Sequence, residues 1–160
     1  MPSKPGASLS EIEAVYRERF PEFRRLAAAI VGDRDAALDV VQEAFGRAIR
    51  RRRTFRREGP LEAWIWRLVV NTATDYQGPR PLPTTIEVER RNGQVEPSAA
   101  LGAAISLLPE RQRVALFLRY YADLDYASIA EALGVKPGTV AASLNAAHAA
   151  LRHALVEAPR

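Results

Sequence analysis

Cysteine is absent from these 160 residues. Disulfides and cysteine-ligated metal sites are thereby excluded, which suits a reducing compartment. Histidine is almost as scarce. The two present, His148 and His153, stand five apart in one helical stretch, whereas a helical metal pair needs a spacing of about four. There is no glycine-rich phosphate loop, and no serine has a histidine near it in sequence. Acids such as Asp33 and Asp35 sit where helix caps are expected. The sequence therefore offers no enzyme active site, no cofactor site and no metal site. No apolar run approaches the roughly 18 residues of a membrane span, and the opening MPSKPGASLS lacks an apolar signal core. A cytoplasmic chain that does not insert into membranes is expected.

Charge of one sign is not scarce. The net charge is +4, which permits an anionic partner. Residues 1–76 carry 14 basic and 11 acidic residues, net +3. Residues 77–100 are balanced, three of each, and residues 101–160 carry six basic and five acidic, net +1. The C-terminal part nevertheless holds the clearest motif. Asp125 can cap a short helix over Tyr126 to Leu133, with Ile129 and Leu133 as its apolar stripe and Ala130 small enough for close approach. Gly134 suits a left-handed cap, Val135 plugs the turn, and a second helix starts near Pro137. Val140, Leu144, Ala147, Leu151 and Leu155 recur at helical spacing. Any two packed helices could show such stripes. The order of small residue, glycine, aliphatic plug and second helix favours a helix-turn-helix, whose second helix enters the DNA major groove.

The rest reads as helices too. Ser10 with Glu13 makes a capping box after frayed residues 1–8. Ile12, Val15 and Tyr16 point inward, Pro21 is expected to kink or restart the helix, and Phe23, Leu26, Ala27 and Ile30 carry the stripe to Gly32. Asp33 or Asp35 caps a helix over 36–52. Val41, Phe45 and Ala48 share its inner face, while Asp39, Gln42, Glu43 and Gly46 lie opposite, as plain solvated surface or as a docking patch. A basic run follows, Arg50 to Arg53 with Arg56 and Arg57. Pro60 opens a helix over 61–76 with Leu61, Ile65, Leu68 and Thr72 buried. Trp64, Arg67, Asn71 and Asp75 form a neighbouring row, suited to stacking on and tracking single-stranded nucleic acid. Equally, Trp64 could be core and the others solvated. Trp66 points elsewhere and is expected to be exposed. Between Gln77 and Pro97 stand four prolines and two glycines without a sustained period, as in a semi-flexible linker. Beyond it Leu101, Ala104, Ile105 and Leu108 are helically spaced, and Pro109 starts a helix with Val114, Phe117 and Tyr121 inward.

With both halves read, the chain resembles the extracytoplasmic-function sigma factors of the sigma-70 family. The resemblance rests on GDRDAALDVVQEAF and EAWIWRLVVNTATD in the first half, and on LLPERQRVALFLRYYADLDYASIAEALGVKPGTV in the second. It implies an all-α fold of two small helical domains: a region 2-like bundle over 10–76, a linker over 77–98 and a region 4-like helix-turn-helix over 99–156. It implies a promoter-specificity subunit that binds core RNA polymerase through the β′ clamp helices and the β subunit, binds promoter DNA, and is held by an anti-sigma factor. On this resemblance Asp39, Gln42, Glu43 and Phe45 lie at the polymerase interface. Arg56, Arg57, Trp64, Arg67 and Asn71 recognise the promoter −10 element. The helix beginning at Gly138, Thr139 and Val140 reads the −35 element. There the sequence departs from the family's pattern. Where several Lys or Arg are usual, it runs Ala141, Ala142, Ser143, Leu144, Asn145, Ala146, Ala147, His148. Lys136, Thr139, Ser143 and Asn145 remain as polar contacts, with Arg111 and Arg113 able to reach the DNA backbone. A second reading stays open: a sigma-like regulatory protein with reduced DNA binding that acts on an anti-sigma factor or on polymerase.

Overall fold

The computed structural model describes residues 6–78 and 99–157, and among them the chain is helical without a strand. The described residues form seven α-helices: α1 (Leu9–Val31), α2 (Arg34–Arg51), α3 (Leu61–Thr74), α4 (Ala99–Ser106), α5 (Glu110–Tyr120), α6 (Tyr126–Leu133) and α7 (Pro137–Glu157), with a 3-10 turn at Arg52–Thr54. The expected linker lies almost wholly outside the described residues.

The capping box of α1 sits two residues earlier than the sequence pattern suggested. Ser8, not Ser10, is the N-cap. Its hydroxyl accepts from the Glu11 N–H at 3.1 Å, and the Glu11 carboxylate accepts from the Ser8 N–H at 2.7 Å. Both serines precede an acid by three residues; the contacts of Ala7, buried with its N–H on the Arg52 carbonyl at 2.8 Å, favour the earlier start. Residues 6–8 are thus held in place rather than frayed, by the buried Ala7 and by the Ser8 cap. Pro21 neither ends nor restarts the helix, which runs unbroken from Leu9 to Val31. An interior proline costs roughly 3 kcal/mol. Phe23, Leu26 and Ile30 are buried just beyond it, each contributing about 1.5–3 kcal/mol, so packing outweighs the break. Gly32 closes α1 in the left-handed region, φ 79°, where a side chain would be strained. Asp33 then caps α2 by accepting from the Asp35 N–H at 2.8 Å.

Helices α1, α2 and α3 pack mutually, and α3 also packs on α6. The expectation for Trp66 is corrected: its side chain is fully buried. It lies between Phe23 of α1, centroids 4.2 Å apart, and Phe117 of α5 at 6.3 Å. Arg25 of α1 also covers the Tyr121 ring at 5.0 Å. One apolar core therefore runs from the N-terminal three helices into α5, α6 and α7. Of these, α6 and α7 form the expected helix-turn-helix, with α5 packed on both. Asp125 accepts from the Ser128 N–H at 2.8 Å, Gly134 takes φ 66°, and Ile129, Val140, Leu144 and Ala147 are buried. Leu155 leaves the stripe and is exposed, because α7 outruns the helices it packs on.

Candidate nucleic-acid interface

The polar face of α2 is formed as its periodicity requires. Asp39, Gln42 and Glu43 are exposed, while Val40, Val41 and Ala44 are buried. Phe45 does not join that face. It is buried against Tyr16 and Phe23, edge-on at 4.9 and 5.3 Å, so it has no surface to offer a partner. Glu43 accepts from Arg47 Nε at 3.2 Å and Arg50 Nη2 at 3.3 Å, and Arg47 Nη1 reaches the Thr72 hydroxyl of α3 at 3.4 Å. These fixed cations orient the carboxylate on the surface.

The loop after α2 is anchored by Phe55, buried at its centre and tilted against Trp64 at 5.5 Å. Arg53 and Arg56 point to solvent on either side of it. Arg57 behaves differently. It adopts φ 58° and makes two hydrogen bonds to the Glu11 carboxylate, at 3.0 and 2.9 Å. The guanidinium, with the Ser8 N–H, holds the Glu11 carboxyl down to about 2 from an ordinary 4.5. Arg57 is thus turned toward α1, and the expectation that it faces nucleic acid gives way to an intramolecular pair.

On α3 only a narrow strip escapes burial. Trp64 is half-buried, and Arg67 and Asn71 are exposed one and two turns on. The strip runs beside α6, whose Glu131 lies 3.9 Å from Arg67. A β-carbon on Gly134 would lie 3.6 Å from the same guanidinium. The helix-turn-helix therefore covers one flank of the strip.

In the C-terminal helices Lys136 and Asn145 are exposed, and Thr139 and Ser143 are half-buried at the edges of α7. Ala142 and Ala146 occupy its outward side and present only methyl groups. Arg111 is exposed at the start of α5. Arg113, by contrast, is half-buried and donates to the Ser106 carbonyl at 3.2 Å. It closes the end of α4 rather than standing free for a DNA phosphate. Among the described residues no cluster of metal-ligating side chains occurs, and no helix is long and apolar enough to cross a membrane.

Sequence reasoning missed three participants. Glu11, Arg47 and Glu131 each hold a predicted site residue or its helix from another element. Only Glu131 lies within a quoted motif, and no pattern signalled its contact with Arg67.

Residues 15–77 match the model of sigma-70 region 2, and residues 98–151 match that of sigma-70 region 4. The chain is 30% identical over 125 residues to RNA polymerase sigma factor SigV of Bacillus subtilis, covering 74% of this chain and 75% of that one. It is 30% identical over 149 residues to the ECF RNA polymerase sigma factor SigM of Mycobacterium tuberculosis, covering 89% and 76%. Among solved structures, the sigma factor RpoE of Bartonella quintana, crystallised with the anti-sigma factor NepR, superposes with a TM-score of 0.70 at 18% identity, over 94% of this chain and 100% of that one; this likeness is one of fold.

Proposed function

This chain belongs to the extracytoplasmic-function sigma factors of the sigma-70 family, and from that premise we propose which of its surfaces carry promoter-directed transcription. Residues 10–76 serve as the region 2-like domain and residues 99–156 as the region 4-like domain, with 77–98 between them. Asp39, Gln42 and Glu43 dock on the β′ clamp helices of core polymerase. Arg53, Arg56, Trp64, Arg67 and Asn71 face the −10 element, and Lys136, Thr139, Ser143 and Asn145 of the α7 entry, with Arg111 at the start of α5, face the −35 element. The chain works by binding, without catalysis of its own, in the cytoplasm where polymerase is. An anti-sigma factor is its expected regulator, as NepR is bound by the neighbour of like fold.

The observation that carries this reading is the division of labour within one three-helix bundle. The α2 acids are turned to solvent while Phe45, two residues on from Glu43, is buried; on α3 the Trp64, Arg67 and Asn71 strip stays open between two buried faces. Because Glu131 and α6 flank that strip on one side, promoter DNA approaches it from the side that α6 leaves open.

The test is transcription in vitro with core polymerase on a promoter library. Asp39→Lys with Glu43→Lys should abolish core binding. Trp64→Ala should leave core binding intact and remove promoter opening. Core binding unaffected by the double reversal would refute the docking assignment. A second reading is favoured by Ala142 and Ala146, which leave the outward side of α7 without charge: a sigma-like regulator that acts through proteins. Polymerase binding without any promoter-dependent transcript would select it.

A further inference from the structure

Three contacts run from residues 6–11 to the loop that follows α2. The Ala7 N–H donates to the Arg52 carbonyl at 2.8 Å. Gly6, at φ 119°, lies so close that a β-carbon would come within 3.0 Å of the Arg52 carbonyl oxygen and of Arg53 Cα. Glu11 holds Arg57 through both guanidinium branches. Arg57 meanwhile sits in the left-handed region at φ 58°, which a non-glycine residue adopts only when its surroundings impose it. The far side of the loop is fixed by Phe55 against Trp64. With Phe55 drawn inward and Arg57 drawn back to α1, Arg53 and Arg56 are left outward on a loop held at both ends.

We propose that the Glu11–Arg57 pair, with Gly6 and Ala7, is a clasp by which the N-terminal turn of α1 positions the 52–58 loop and so sets its selectivity among −10 sequences. Glu11 and Arg57 are positioning residues, since neither touches DNA in this scheme. The proposal rests on the reading above that this loop faces the −10 element. The pair is nearly half exposed, and exposed pairs add little to global stability. Its effect is therefore local order rather than folding.

Two variants separate the clasp from the cap and from backbone strain. Glu11→Gln keeps the capping box, which accepts glutamine at this position, but removes the ion pair. Arg57→Gly keeps the left-handed turn and removes the guanidinium. In the free full-length chain, amide exchange over residues 52–58 should speed up about tenfold or more in both variants, with α2 and α3 unchanged. In holoenzyme, core affinity should hold while discrimination among −10 sequences falls about fivefold or more, the low end of one lost base contact. Arg57→Lys, a cation without the fork, should recover part of both effects. Unchanged loop exchange, or faster exchange with selectivity intact, overturns the clasp alone. Selectivity indifferent to Arg56→Ala and Trp64→Ala in the otherwise native chain overturns the functional reading on which it rests.

Discussion

Replacing Ala142 and Ala146 by arginine should give α7 two cations on its outward side. Both positions are exposed and one turn apart, beyond Lys136 and Thr139, so neither substitution disturbs the Val140, Leu144 and Ala147 packing. Arginine is nearly as good a helix former as alanine, so the helix should persist. Each phosphate neutralised adds about 0.9 to the slope of log affinity against log salt. Two such contacts add about 1.8. Between 50 and 200 mM salt, a fourfold change, the variant should therefore lose about twelvefold more affinity than the native chain. At the lower salt it should bind more tightly. The assay is holoenzyme binding to a promoter fragment that the native holoenzyme transcribes, followed by fluorescence anisotropy across that salt range. An unchanged slope would refute the reasoning, because it would mean that this side of α7 never approaches the duplex.

Trp66→Ala should cost about 3–5 kcal/mol, since the ring is fully buried between Phe23 and Phe117; thermal melting measures this, and a loss below 1 kcal/mol would show that the ring is not enclosed. Gly134→Ala places a β-carbon at φ 66°, and calorimetry should show a loss of about 1 kcal/mol from backbone strain. The Glu11 carboxyl, held down to about 2 by Arg57 and the Ser8 N–H, should stay ionised well below pH 4.5 in an NMR titration. Its folded value is depressed, so the stability it contributes is present above about pH 4.5 and is lost as pH falls toward 2. In Arg57→Gly the same carboxyl should titrate closer to its ordinary value.

Much of the fold was legible because it depends on local chemistry. Asp33 and Asp125 cap the helices that their position before an apolar period suggested, and Gly32 and Gly134 occupy the left-handed ends that L-residues avoid. The helix-turn-helix boundaries, Tyr126–Leu133 and the start at Pro137, follow from the same signals. The exposed α2 acids were readable from a 3.6-residue period alone. The start of α1 was not readable that way: Ser8 and Ser10 each stand three residues before a glutamate, and the sequence pattern pointed to Ser10 where the structure uses Ser8.

By itself, then, the sequence determined which segments are helical, where they start and stop to within about two residues, and which side of most of them is apolar, because these follow from caps, dihedral preferences and periodicity. It did not determine which apolar side chain meets which neighbour. Only the tertiary structure buried Trp66, by bringing α5 and α6 against a helix already packed on α1 and α2. Only it tied Arg57 to Glu11 across 46 residues of chain and laid α6 along the Trp64, Arg67 and Asn71 strip. Contacts between residues far apart in sequence leave no local period. They are settled by the close packing of whole helices, where one shared core forms only if every face finds its partner.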